Sequence, residues 1–200
     1  MIATKTLPEG YNLLREIDLH KDMATLVKLN IWGMILLFPV SFLLYWLSKV
    51  LRPLPTSITE IVSPQLSAMA YLAMIILAFI FIMVIHELLH GIVFWRITHQ
   101  LPKFGFRGAY AFAAAPDWFI PRKAYFFIGA APLVIISIVG VLLIPVIPIQ
   151  FLGTWLFGVL MNAVGAVGDI YILFVLLRLP ASILVRDQGD VISFYSETAA

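Results

Sequence analysis

The chain has 200 residues, 62% of them hydrophobic and 12% charged, with a formal net charge of +2 and a mean hydropathy of +1.01. Soluble domains of this length are not so apolar, so the sequence describes an integral membrane protein, and so small a net charge gives no electrostatic footprint for nucleic acid. Cysteine is absent, which excludes disulfides and thiolate ligands and leaves only nitrogen and oxygen to hold a metal.

The N-terminal 28 residues mix Lys5, Arg15, Lys21 and Lys28 with Glu9, Glu16, Asp18 and Asp22, and they lack the apolar core of a secretory signal. No cleaved signal is expected. Residues 11–28 fit either a strand or an amphipathic helix. Four stretches are long enough to cross about 30 Å of hydrocarbon as helices. They are Asn30 to Val50, Leu66 to Trp95, Ala124 to Ile147 and Phe151 to Leu177. The expected fold is a single all-α membrane domain over residues 1–200 with about four transmembrane helices.

Two short β-hairpins are expected beside them. Between the second and third spans, Phe104, Phe106, Tyr110 and Phe112 recur at period two from Lys103 to Ala113, which predicts a strand. Ala115-Pro116-Asp117 reads as a turn, with Trp118-Phe119-Ile120 returning antiparallel. Such a hairpin either dips into the protein, offering Phe104, Phe106, Tyr110 and a free edge to an extended substrate, or rests at the interface among headgroups. Near the end, Ile183 to Val185 and Val191 to Tyr195 flank Asp187-Gln188-Gly189-Asp190, a small C-terminal hairpin whose aspartates read as turn residues.

The basic residues set an orientation. With the N-terminus in the cytoplasm, eleven of the 13 Lys and Arg fall on the cytoplasmic side, and only Lys49 and Arg52 fall outside. Both termini are therefore expected in the cytoplasm, with the cell membrane as the expected location. Eleven against two also puts the end of the second span at the cytoplasmic face.

That end carries His86-Glu87-Leu88-Leu89-His90 within an otherwise uncharged run. Each ionisable group costs roughly 2–4 kcal/mol on insertion scales, so the trio needs an offsetting partner. On a helix, residues i and i+4 share a face, so both imidazoles can meet one ion while Glu87 reaches a water upon it. Chance yields this pattern in about 1 in 500 chains of such composition. Catalytic zinc usually takes three protein ligands, and the fourth span offers one ionisable residue, Asp169. Counted from the flanking arginines, Asp169 lies about 13 Å deep, and His86 and His90 about 15 and 9 Å. All three share a depth. Asn162 precedes Asp169 by seven residues on the same predicted face, where it either holds substrate backbone or packs between helices. Gly158, Gly165, Gly168 and Gly91 are expected to let the second and fourth helices approach closely. Asp117 is a turn residue or, alternatively, the ligand in place of Asp169; His20 and His99 lie in polar flanks and are expected to be solvated.

The HELLH helix and the late Asn162-Ala-Val-Gly-Ala-Val-Gly-Asp169 segment resemble the site-2 protease group of intramembrane zinc metalloproteases. More closely, the chain is similar to a family of small, largely uncharacterised zincin-type peptidases, through Pro8-Glu9-Gly10-Tyr11, HELLH, Ala130-Ala131-Pro132, Asn162 to Asp169, and Val185-Arg186-Asp187. The resemblance implies zinc on His86, His90 and Asp169, Glu87 as general base, and a membrane protein or peptide as substrate. The larger group usually has proline between the asparagine and the aspartate, and glycine after it; here Gly165 and Gly168 intervene and Ile170 follows. The alternative function is a non-catalytic metal-binding membrane protein, either a carrier or a degenerate protease that holds clients. A carrier needs polar groups at successive depths, and the outer half of these spans offers little beyond Asn162.

Overall fold

The computed structural model describes residues 2–18, 21–52, 67–107 and 110–197, with the side chains of Arg107 and Tyr110 excepted. His20 and the external loop expected after the first span lie outside the described residues. In chain order the elements are β1 Tyr11–Asp18, α1 Met23–Leu51, α2 Ala68–Thr98, β2 Lys103–Arg107 and β3 Tyr110–Ala114. There follow β4 Ile120–Pro121, α3 Arg122–Leu142, α4 Ile149–Gly165, α5 Val167–Arg178, β5 Leu184–Asp187 and β6 Val191–Glu197. Among the described residues, four helical stretches are long and apolar enough to cross a membrane: α1, α2, α3, and Ile149–Arg178. Large apolar side chains such as Phe38 and Phe42 of α1 are more than 70% exposed, as a lipid-facing surface requires.

Capping explains where two helices begin. Asp22 accepts the Thr25 amide at 2.9 Å and the Thr25 hydroxyl at 2.5 Å, so α1 starts at Met23 rather than at Asn30. The Thr25 bonds also hold the Asp22 carboxyl below its usual range. Ser67 accepts the Ala70 amide at 3.2 Å and caps α2.

The chain divides into two compact units. One comprises Met1–Asn30, Glu87–Ala131 and Gly168–Ala200, and holds every strand. Its four-stranded antiparallel sheet has the order β1-β6-β5-β4. Residues 11–28 thus resolve into strand β1 and the start of α1. Ile17, Ile120, Val185 and Phe194 of the sheet form one buried core with Phe94, Ile128, Ile172 and Leu176 of the helices. Each such side chain contributes about 1.5–3 kcal/mol.

The aromatic segment differs from its expected pairing. Lys103 to Ala113 is not one strand: β2 and β3 pair with each other, from Lys103↔Ala114 to Arg107↔Tyr110. The reversal falls within the period-two run, between Arg107 and Tyr110. The Ala115-Pro116-Asp117 turn is present, closed by the Trp118 amide on the Ala115 carbonyl at 3.0 Å. Beyond it Ile120 pairs with Val185 and not with the aromatic strand, because the C-terminal hairpin offers it a longer sheet to join.

The other unit comprises Ile31–His86 and Pro132–Val167. Here α1 meets α4 where a Cβ on Gly33 would lie 3.4 Å from the Val164 carbonyl oxygen, and α3 meets α4 where one on Gly140 would lie 2.5 Å from Val159. The Trp155 indole donates to the Gly140 carbonyl at 2.9 Å. The expected third span ends early, at Leu142, in a series of turns. The fourth is broken at Ala166, so Asn162 and Asp169 stand on two helices rather than one. The proposed glycine stripe is corrected too: a Cβ at Gly158, Gly165 or Gly168 would meet nothing within 4 Å. At Gly91 it would lie 2.4 Å from the Phe104 ring, so this glycine seats the β2 strand and not the fourth span.

Candidate metal centre and the adjoining cavity

His86 and His90 are one helical turn apart on the uninterrupted α2, whose 31 residues carry them on one face. Each imidazole has its Nδ1 engaged by an oxygen. His90 Nδ1 lies 2.8 Å from the Ile128 carbonyl oxygen, and His86 Nδ1 lies 2.9 Å from Asn162 Oδ1. A carbonyl only accepts, so Nδ1 carries a proton in both rings, and in their neutral form the lone pair is on Nε2. Metal-binding histidines are oriented in this way, by an acceptor on the nitrogen opposite the ion.

His90 Nε2 faces Asp169 Oδ2 at 3.4 Å. In the neutral form that binds a metal, with its proton on Nδ1, the ring would turn a lone pair towards the carboxylate, and a cation between them would join the two. Two donor atoms of a tetrahedral zinc, each at about 2.0–2.1 Å, stand about 3.4 Å apart. The residues present therefore fit the ion. Asp169 lies in the first turn of α5. The break at Ala166 creates that helix start.

Glu87, His90 and Asp169 line one cavity of about 150 Å³, walled by apolar residues including Phe94, Phe112, Ile128 and Ile172. Two further polar residues line it: Asp187, expected as a turn residue, and Tyr125, which no sequence motif marks. The Tyr125 hydroxyl donates to Asp187 Oδ2 at 2.6 Å, and the Gly189 amide donates to Asp187 Oδ1 at 2.8 Å. Gly189 has φ +94°, and a Cβ on it would lie 2.7 Å from the Phe112 ring, so only glycine closes this turn without strain. The expected aspartate turn chemistry is present at Asp187, but its second oxygen serves the cavity.

Burial pushes the Asp187 carboxyl up to about 6, against the lowering effect of its Tyr125 and Gly189 bonds. A carboxyl with a higher pKa folded than unfolded binds more protons when folded, so stability falls as pH rises between the two values. The ionised group costs on the order of 3 kcal/mol above pH 6, and the cost fades towards pH 4. Asp187→Asn removes the titration and keeps one of the two acceptor oxygens used by Tyr125 and Gly189, so the comparison rests on the pH slope and not on absolute stability. Thermal unfolding of the detergent-solubilised protein should show wild type losing stability relative to this variant from about pH 4 to 7. Parallel curves would contradict the assignment.

Among the other candidates, Phe104 lies against Gly91, one residue beyond His90, and Phe106 is 69% exposed. Asn162 is buried at 3% exposure on His86, with its Nδ2 unbonded among the described residues. The Tyr110 side chain lies outside the described residues, while the period-two pattern that marked it also contains Phe112, which does line the cavity. Asp117 pairs with Lys103 at 3.7 Å on the surface, and His99 is exposed.

Fold and site together fit a multi-pass membrane protein with a histidine and carboxylate centre suited to a divalent metal. Residues 79–184 match the family described as "Putative zincin peptidase", and the chain, matched over more than half its length, belongs to that family. The family's description makes zinc the expected ion and peptide hydrolysis the expected chemistry. No curated protein and no solved structure matches the chain.

Proposed function

We propose that the protein is a zinc metallopeptidase of site-2 protease type, cleaving peptide bonds of membrane-anchored substrates at or within the membrane near its cytoplasmic face. The observation that carries this reading is the pair of histidines one helical turn apart, each with Nδ1 engaged by an oxygen, His90 facing Asp169 through Nε2 at the spacing of two ligands on one ion. His86, His90 and Asp169 would hold the zinc, a set of side chains suited to a metal ion. Zinc bound there supplies Lewis acidity, polarising a carbonyl oxygen and acidifying water. Glu87, which lines the cavity, takes the proton of the attacking water and passes it to the departing amine. Asn162 fixes the His86 ring, and the apolar cavity walls exclude bulk water from the reacting atoms.

The basic residues orient this reading, with both termini in the cytoplasm of a cell-membrane protein. Reporter fusions at Glu197 and in the 53–66 segment should report cytoplasmic and external positions respectively. For proteoliposomes supplied with a membrane-anchored peptide, mass spectrometry should place the cut in the cytoplasmic half of the substrate's span or at its cytoplasmic edge. A cut in the outer half, or inverted reporters, would overturn the placement.

A further inference from the structure

The cavity beside the metal centre is rich in acceptors. Three carboxylates line it, Glu87, Asp169 and Asp187, and no lysine or arginine does so among the described residues. A divalent ion on neutral imidazoles offsets two of those charges and leaves one. Asp187 is the carboxylate that the metal reading does not use. It is 7% exposed and held by two neutral donors, the Tyr125 hydroxyl and the Gly189 amide, which fix its geometry without cancelling its charge. Tyr125 has spent its only proton on Asp187, so the pair presents lone pairs and no donor to an occupant. Buried carboxylates are ordinarily matched by a cation, and the apolar walls formed by Phe94, Phe112 and Ile128 suit the methylenes of a long basic side chain.

We propose that Asp187 and Tyr125 form a substrate subsite that selects a lysine or arginine side chain close to the bond presented to Glu87. The inference rests on the peptidase reading and extends it to the substrate. A membrane-anchored substrate brings such residues with it, because the cytoplasmic flanks of transmembrane segments are rich in Lys and Arg. Asp187 supplies the charge; Tyr125 is a positioning residue that holds the carboxylate towards the cavity. A substrate carboxylate at the same place would be repelled, so the subsite also excludes acidic flanks.

The test reads binding apart from cleavage. Fluorescent membrane-anchored peptides carrying lysine, arginine, norleucine or glutamate at successive positions are titrated against zinc-loaded Glu87→Gln protein in nanodiscs. At one position lysine and arginine should bind about tenfold or more tighter than norleucine, and glutamate more weakly than norleucine. Adding Asp187→Asn should bring lysine and norleucine within about twofold of each other, at unchanged zinc content. Tyr125→Phe keeps the charge and should weaken the preference without abolishing it. Lysine and norleucine binding alike at every position, or a preference that survives Asp187→Asn, overturns the subsite. If Asp187→Asn disrupts folding, Asp187→Glu and Tyr125→Phe carry the test, and an unaltered preference in both overturns it. A lysine preference that depends on Asp187 in a protein that cleaves nothing retains the subsite and removes the peptidase reading. Cleavage that depends on Glu87 but shows no basic preference does the reverse.

Discussion

Glu87→Gln protein should fold, retain its zinc and lose proteolysis. Glu87 is expected to sit beside the metal and not upon it, and glutamine keeps the size of the side chain while removing its basicity. A general base contributes about 10² to 10⁴ in rate, so cleavage of a membrane-anchored substrate should fall below detection in most assays. Binding should survive, so the variant becomes a trap for uncleaved clients in a cell pull-down. Comparing its clients with those of wild type separates an enzyme from a protein that only holds partners. Should both forms retain the same intact proteins, with no fragment dependent on Glu87, the non-catalytic reading replaces the peptidase.

The membrane helices were legible in the sequence because hydropathy is a local property: each span reveals itself by its own residues. The same holds for the histidine pair, whose geometry follows from helical spacing within α2. Boundaries were less legible. The Asp22 and Thr25 capping signal was there to move the start of α1 seven residues back, but apolar length alone does not register it. The β5–β6 hairpin was legible from its turn residues, but its extension into a four-stranded sheet was not, since β1 and β4 join it from residues near 11–18 and 120, and pairing over such separations leaves no local trace.

Within the site, local patterns misled in two ways. The glycines of the fourth span suggested close helix packing, yet the space around Gly158, Gly165 and Gly168 is open, and the segment instead breaks at Ala166 to start a helix under Asp169. Asp187-Gln188-Gly189-Asp190 looked like ordinary turn chemistry, and at Gly189 it is. The second oxygen of Asp187 meets Tyr125 from a helix start 62 residues earlier, a contact no local motif reveals. Phe112 is a similar case. It shares the period-two pattern of its neighbours, and only the hairpin reversal places it over Gly189 and the cavity.

The second large effect concerns the ligands. Alanine at His86, His90 or Asp169 should each abolish zinc retention, because a three-ligand site reduced to two loses most of its hold. Asn162→Ala leaves the three proposed ligands in place and removes only the partner of the His86 ring, so it should weaken zinc affinity by about 10- to 100-fold without eliminating binding. A graded result of this kind distinguishes a metal site from helix-packing histidines, where Asn162 and Asp169 would matter through stability alone.

The central claim is a zinc centre built on α2 and the start of α5, and metal analysis of the detergent-purified protein tests it most directly. Wild type should carry about one zinc per chain, as a single three-ligand site requires, and His90→Ala purified in parallel should carry almost none while remaining monodisperse. Equal zinc in the two proteins, or none in wild type after incubation with zinc, would contradict the account and leave His90 and Asp169 as an ion pair at 3.4 Å.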